Sequence, residues 1–221
     1  MWVGLSAELR LSRKFIYLVL KIKVVQRLVK IRMTKVTKLH YNSPLILTFS
    51  FLCIVCYYLL DFLQSLNSPF FVLRSSFSFV KISDYSSVFL YVLNHANPEH
   101  LFGNLTFILL LGPILEEKYG RKKLFYMIVV TTLATAILNI IFFNTGLIGA
   151  SGIVFMLIIL ISFVNVEDGR VPLTFIMVFV LFISKEVYAS FENDQISQFA
   201  HIIGGILGAI FGFTNKSKTI E

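Results

Sequence analysis

Long apolar runs separated by short polar segments dominate the chain. A helix needs about 20 mainly apolar residues to cross ~30 Å of hydrocarbon, and six runs approach that length. The runs cover residues 44–63, 99–116, 123–143, 147–164, 172–190 and 199–214. The pattern predicts an all-α membrane protein with six transmembrane helices. Residues 44–214 would form one domain between an N-terminal arm (1–43) and a short tail (215–221).

Composition agrees with this class of protein. Hydrophobic residues make up 57% of the 221 residues, and the mean hydropathy of +0.80 is far above that of a soluble domain. The two cysteines, Cys53 and Cys56, both lie in the first apolar run. We interpret them as buried small hydrophobic residues, since two thiols in a span do not suggest a disulfide framework or a zinc cluster.

Basic residues indicate the orientation of the spans. Seventeen of the twenty Lys and Arg residues fall in segments 1–43, 117–123, 165–171 and 215–221. Because Lys and Arg concentrate in cytoplasmic loops, both termini are predicted to be cytoplasmic. Spans two, four and six would then run from outside to inside. The long outer segment, residues 64–98, contains apolar stretches and is predicted to fold back onto the membrane surface.

The N-terminal arm carries most of the net charge of +8. It has ten basic residues and a single acid, Glu8, and its charges are interleaved with apolar residues, as in RKFIYLVLKIKVVQRLVKIR. This pattern predicts an amphipathic helix on a surface of anionic lipids. Nucleic-acid binding and an organelle transit sequence are the alternatives; we expect no nucleic-acid partner.

Polar residues inside an apolar span are costly to insert, so each is a candidate for function. In the second span, Asn97 followed by Pro98 predicts a helix start, with the asparagine as the cap. His100 and Asn104 then lie four residues apart on one helical face. A polar cap on the helix end is the structural alternative for His100. It explains Asn104 less well, because Asn104 lies deeper in the span.

Small residues surround a serine in the fourth span and follow a histidine in the sixth. Ser151 lies in the stretch IGASGIVFML, about one turn into the fourth span. His201 opens the sixth span in AHIIGGILG, where Gly204 and Gly208 form a small-residue face that lets helices pack closely. As structural alternatives, a serine in a membrane helix often hydrogen-bonds its own backbone, and close helix packing alone explains these glycines. Neither alternative requires His201.

These polar residues share the outer end of three spans, so we predict that they form one site. The chemistry they support is nucleophilic acyl transfer. Ser151 is the candidate nucleophile, and His201 is the candidate general base that removes its proton. His100 and Asn104 are candidate donors to the oxyanion of a tetrahedral intermediate. No acid is spaced to complete a triad, so a Ser–His dyad is predicted. No metal or organic cofactor site is evident.

On these residues the chain resembles the rhomboid intramembrane serine proteases, from about residue 44 to residue 213. Four motifs carry the resemblance, in the same order and on the corresponding spans. The motif residues are His95, His100 and Asn104; Gly112, Glu116 and Gly120; Gly149, Ala150, Ser151 and Gly152; and Ala200, His201, Gly204 and Gly208. The set of four is specific, although each motif alone is weak.

The resemblance implies a six-helix rhomboid bundle with Ser151 as nucleophile and His201 as general base. Its substrate would be a membrane helix that enters between the second and fifth spans and is cut near its outer end. Glu116 would be structural. The chain departs from the family pattern in two places. It has Phe155 where many members place a tyrosine that stacks on the histidine. Members commonly carry a Trp-Arg pair in the outer segment, whereas the single tryptophan here, Trp2, lies outside that segment.

Two other classes of protein remain as alternatives. A non-catalytic rhomboid-like protein would bind membrane-protein clients in the same groove, but it would lack the serine or histidine present here. A transporter would show paired repeats and a site near the midplane of the bilayer. The minimal six-span plan suggests a prokaryotic plasma membrane, with an organelle membrane as the alternative.

Overall fold

The computed structural model of the protein describes residue 21 and residues 41–143, 146–164, 170–189 and 198–215. From residue 41 onward, these residues form seven helices and no β-sheet. The helices are α1 (Pro44–Phe62), α2 (Ile82–Leu90), α3 (Pro98–Tyr119), α4 (Arg121–Phe142), α5 (Ser151–Ile161), α6 (Leu173–Ala189) and α7 (Gln198–Thr214). The predicted all-helical class is confirmed over this part of the chain.

Six of these helices overlap the six predicted spans, while α2 lies in the predicted outer segment. Helices α1, α3 and α4 are long and apolar enough to cross a membrane. Helices α5 and α7 are apolar but shorter, with 11 and 17 residues. The fold is therefore a helical bundle with membrane-spanning helices. The count of six spans and the cytoplasmic location of both termini stay predictions.

Helix α5 begins at Ser151, so the prediction of a fourth span that is helical from residue 147 is wrong. Leu147 instead pairs with Leu73 in an antiparallel bridge, in which the two backbone N–H···O distances are 2.8 and 3.0 Å. Gly149 has a φ of +105°, which a right-handed helix does not allow. Ser151 is consequently the first residue of α5 rather than a residue one turn inside it.

Helix α5 lies at the centre of the bundle. It packs most extensively against α7 and also contacts α3, α4 and α6. Most of its side chains are buried, which explains why this short helix is apolar on every face. The buried side chains include Ile153, Val154, Met156, Leu157, Ile159 and Leu160. Ser151 is thus held at the end of a helix that is fixed from several sides.

The outer segment, residues 64–98, folds against this bundle. Its residues Leu73, Tyr91 and Val92 belong to the main hydrophobic core. The Tyr91 hydroxyl also donates a hydrogen bond to the Thr132 carbonyl of α4 at 3.2 Å. The apolar stretches that were expected to lie on the membrane surface therefore contribute in part to the protein core.

The described residues from Asn42 onward belong to one compact unit. The predicted N-terminal arm lies outside the described residues, apart from Lys21 and residues 41–43. The same holds for the predicted tail, of which only Asn215 is described. The amphipathic character and lipid contact of the arm stay predictions.

Candidate active site

The start of α3 positions the first two candidate residues. As predicted, Asn97 caps the helix: its side-chain oxygen accepts a hydrogen bond from the His100 N–H at 2.8 Å, and Pro98 occupies the first turn. Asn104 follows His100 by one turn and is buried, with 7% of its surface exposed. Its Nδ2 group is also buried and finds no acceptor among the described residues. A buried donor without a partner is costly, so this amide is available to a ligand.

The His100 ring rests on the backbone of Gly149, just ahead of α5. A Cβ atom at Gly149 would lie 2.5 Å from His100 Cε1 and 2.7 Å from Nε2, which leaves no room for a side chain. The positive φ of Gly149 also favours glycine. Its N–H donates to the Tyr91 carbonyl at 2.9 Å, which ties this loop to the outer segment. Gly149 lies two residues before Ser151, so this contact places the His100 ring near the serine.

Helices α5 and α7 pack backbone against backbone through their glycines. A Cβ atom at Gly204 would collide with the Gly152 carbonyl oxygen, and a Cβ atom at Gly208 would lie 2.6 Å from the Met156 carbonyl oxygen. A Cβ atom at Gly152 would in turn lie 3.2 Å from the Ala200 carbonyl oxygen. These successive contacts show that the two helices run in the same direction. They place the first turn of α5 beside the first turn of α7.

The His201 side chain lies over the face of α5 that carries Ser151. His201 is buried, and its ring contacts the Phe155 ring with the centroids 4.4 Å apart and the planes at 39°. Phe155 lies one turn after Ser151, and residues four apart share a helical face. His100, which rests on Gly149, lies beside the start of the same helix. The structure thus gathers Ser151, His201 and His100 at one end of the bundle, and Asn104 lies one turn further along α3 from His100.

His95 lies beside this group but is enclosed by protein. It is fully buried, its ring meets the His100 ring edge to face at 5.1 Å, and neither ring nitrogen has a hydrogen-bond partner among the described residues. Burial, assisted by the nearby His100, lowers the pKa of His95 from 6.5 to about 3. His95 is therefore neutral near pH 7 and supports the His100 ring.

Glu116 lies far from the serine and holds the start of α1. Its two carboxylate oxygens accept hydrogen bonds from the Leu45 and Ile46 N–H groups, each at 3.1 Å, and Arg121 approaches one of them at 3.5 Å. A carboxylate is favourable at a helix N-terminus, where N–H groups lack partners. Glu116 lies about 24 Å along α3 from His100 at a rise of 1.5 Å per residue.

The two glycines around Glu116 have separate local roles. A Cβ atom at Gly112 would lie 2.6 Å from the Ile46 side chain, so glycine lets α1 approach α3 closely. Gly120 has a φ of +79° and forms the turn between α3 and α4. The structure therefore separates this motif from the candidate active site and gives it a packing role.

Two residues near the site were not found by sequence reasoning. Tyr91 supplies the carbonyl that holds Gly149, and Thr135 of α4 places its buried Oγ1 3.7 Å from the position of a Gly152 Cβ. Neither residue has a sequence signal of its own. Thr131, Thr135 and Asn139 are buried at a spacing of four on α4. In the sequence, this spacing indicates only a polar stripe along one face of the helix.

The described part of the chain contains no group of three His, Cys, Asp or Glu side chains that could hold a metal ion. Cys53 and Cys56 are free thiols, of which Cys53 is buried and Cys56 half-buried. What the site does offer is a hydroxyl and an imidazole on adjacent helices, with amide and imidazole groups close by. Groups of these kinds can support nucleophilic acyl transfer.

Comparison with known proteins identifies the family of the chain. A profile described as the rhomboid domain matches residues 83–218. The chain is also similar to rhomboid-related protein 1 of Caenorhabditis elegans, with 32% identity over 144 residues. This match covers 59% of the chain but only 40% of the relative, so the chain spans less than half of the relative's length. The chain belongs to the rhomboid family and is a membrane protein.

Proposed function

We propose that the protein is an intramembrane serine endopeptidase that cleaves transmembrane segments of membrane proteins near their outer end. Ser151 is the nucleophile and His201 is the general base. The observation that carries the proposal is the contact between the His201 and Phe155 rings, one turn from Ser151 on the same face of α5. The glycine contact between α5 and α7 fixes this arrangement.

The positions of these groups support the following reaction. His201 takes the proton from Ser151 Oγ as the oxygen attacks the carbonyl carbon of the scissile bond. The proton then passes to the leaving amine, and water, deprotonated by the same imidazole, hydrolyses the acyl-enzyme. The oxyanion accepts hydrogen bonds from His100, from Asn104 Nδ2 and from the Ser151 N–H. The Ser151 N–H is suited to this role because the first N–H groups of a helix lack intrahelical partners.

The finer features of the protein are part of the same proposal. The bundle has six spans with both termini in the cytoplasm, and the substrate helix enters between α3 and α6. The described side chains on α6 include large apolar residues that are more than half exposed, such as Leu173 and Leu181. They offer an apolar surface to a membrane helix. The basic arm binds anionic lipids, and the host is a prokaryotic plasma membrane.

The test is cleavage of a fluorescent single-span reporter by the purified full-length protein in liposomes. We expect Ser151→Ala and His201→Ala each to lower kcat by about a thousandfold or more, since members of such a unit act together. Ser162→Ala is the matched control, because Ser162 caps the other end of α5; it should cleave like wild type. Equal cleavage by all variants would refute the dyad. Silence of folded wild type on several reporters would favour the client-binding alternative.

A further inference from the structure

A cavity of about 590 Å³ opens where α1 passes into the outer segment. Two of the residues that line it are apolar, and the other five are Asp61, Gln64, Ser65, Asn67 and Ser68. We call it the α1 cavity. None of its lining residues belongs to the candidate active site. Its volume lies within the range of roughly 300–1,000 Å³ that is usual for sites that bind small organic molecules.

Backbone and side-chain hydrogen bonds hold the α1 cavity in shape. Past the end of α1, the Ser65 N–H donates to the Leu60 carbonyl at 2.7 Å, as in a Schellman motif. Leu66 lines the cavity, and its carbonyl accepts a hydrogen bond from the Asn94 side chain at 2.7 Å. Asn94 itself is fully buried. Because these residues are already ordered, a ligand would bind here with little further ordering of the chain.

Gln64 occupies a backbone position that usually carries glycine. Its φ is +52°, in the left-handed region, and its N–H donates to the Asp61 carbonyl at 2.9 Å. Glycine or asparagine is usual at this position after a helix, because other side chains are costly in the left-handed region. A role for the glutamine amide in the α1 cavity would account for a residue that backbone conformation disfavours.

The α1 cavity has a negative potential. Asp61 carries the only formal charge among the described residues that line it. It lies in the last turn of α1, which contains no basic residue. The C-terminal end of a helix has a partial negative charge, so a cation is favourable there and a carboxylate is not. A cationic ligand would offset both the carboxylate and the helix end.

The lining residues favour one kind of cation. A single carboxylate is a poor ligand set for a divalent metal ion, which a cavity of this volume would also exceed in size. Quaternary ammonium groups are typically bound by aromatic side chains, and none of the described lining residues is aromatic. The cavity instead offers a carboxylate with hydroxyl and amide oxygens, which accept hydrogen bonds. A primary ammonium group, with three N–H donors, matches these acceptors.

We propose that the α1 cavity binds a primary ammonium group, with the Asp61 carboxylate as its ionic partner. The group belongs to a soluble amine or to the headgroup of an ethanolamine phospholipid. Apolar surface adjoins the cavity, because Phe62 and Leu63 follow Asp61 and are 82% and 55% exposed. A phospholipid would therefore find partners for its headgroup and its acyl chains at this end of α1, which is long and apolar enough to cross a membrane.

The first arm of the test measures binding of the soluble source. Purified full-length protein in detergent is mixed with equal concentrations of ethanolamine and choline, and saturation-transfer NMR records which cation contacts the protein. Wild type should prefer ethanolamine. Asp61→Asn keeps the shape of the side chain and removes its charge, so it should bind ethanolamine about tenfold more weakly. Glu117→Gln is the matched control and should bind like wild type, because Glu117 is an exposed carboxylate outside the cavity.

The second arm measures binding of the lipid source. The same three proteins are reconstituted in bilayers with equal amounts of phosphatidylethanolamine and phosphatidylcholine, and native mass spectrometry counts the lipids that each protein retains. Wild type and Glu117→Gln should retain phosphatidylethanolamine in preference, and Asp61→Asn should not. A preference in this arm alone identifies the phospholipid as the ligand, and a preference in the first arm alone identifies a soluble amine. Neither arm depends on proteolytic activity.

Gln64→Gly provides a second variant that separates binding from folding. It removes a side chain from the α1 cavity and gives the left-handed position its usual residue. The unfolding temperature should therefore rise while the preference for the primary ammonium falls, a combination that misfolding cannot produce. Equal binding of the ethanolamine and choline compounds by wild type in both arms would overturn the inference. A preference that survives in both Asp61→Asn and Gln64→Gly would overturn it as well.

Discussion

At the scale of single residues, the candidate site depends on backbone positions that leave no room for a side chain. Gly149 has a positive φ and carries the His100 ring, and Gly152 lies against the backbone of α7. The small residues around Ser151 thus have two physical reasons: one lets His100 approach the loop, and the other lets His201 approach the serine. The small residues therefore do more than let two helices pack closely.

Asn104 gives a residue-scale prediction that separates function from stability. Its Nδ2 donor is buried without an acceptor among the described residues, so Asn104→Leu removes an oxyanion donor without breaking a hydrogen bond seen in the structure. We expect kcat for the reporter to fall on the order of a hundredfold or more. The thermal unfolding temperature in detergent should not fall.

Asn94→Leu is the matched control for that experiment. Asn94 is also buried, but it donates to the Leu66 carbonyl at 2.7 Å and accepts from the His95 N–H at 2.9 Å. Its loss should lower stability by about 1–3 kcal/mol. A stable Asn104→Leu protein with an unchanged kcat would remove Asn104 from the proposed oxyanion site.

His95 gives a prediction about pH. Its pKa is lowered from 6.5 to about 3 by burial, so the unfolded chain binds a proton on this residue more readily than the folded protein does. The contribution of neutral His95 to the free energy of unfolding is fully present above pH 6.5 and is lost as the pH falls towards 3. His95→Phe keeps an aromatic ring against His100 and removes the titration. Unfolding temperatures should therefore decline less steeply with acid in the variant, and parallel curves would contradict the account.

At the scale of elements, the parallel contact between α5 and α7 positions the two proposed reacting groups. Backbone atoms form most of this contact, because the glycines allow the two backbones to touch. Van der Waals packing at small residues is the main attraction between helices in lipid. The same contact would determine both the stability of the bundle and the distance between the serine and the histidine.

Gly204→Ala tests this contact. The added methyl group collides with the Gly152 carbonyl, so the helices must separate, at a cost of about 1–3 kcal/mol. We expect a lower unfolding temperature and a loss of reporter cleavage. Gly103→Ala is the control, because a Cβ atom there meets nothing within 4 Å. It should be neutral or stabilising by up to about 1 kcal/mol. Equal stability of the two variants would contradict the packing account.

At the scale of the whole molecule, the sequence predicts the helices better than the connections between them. The apolar runs in the sequence locate α1, α3 and α4 to within a few residues, because a helix that crosses a bilayer needs a minimum number of apolar residues. The cap at Asn97 is also predictable, since its partner is three residues away. These features depend only on local sequence.

The features that the sequence could not predict depend on residues distant in the chain. Helix α5 starts late because Leu147 pairs with Leu73, and Glu116 bonds the backbone of Leu45 and Ile46 about 70 residues earlier. The burial of His95 likewise results from packing between segments. Motif resemblance pointed to the candidate positions, while their contacts with the rest of the protein became visible only in three dimensions.

The most direct measurement of the central claim is the site of reaction with an alkyl fluorophosphonate. Attack by Ser151 Oγ would form an oxygen–phosphorus bond, release fluoride and pass the hydroxyl proton to His201. Peptide mass spectrometry of the reconstituted protein should find the adduct on Ser151 in wild type and in Ser162→Ala, and not in His201→Ala. An adduct on another residue, equal labelling of His201→Ala, or no adduct on folded wild type would contradict the proposed dyad.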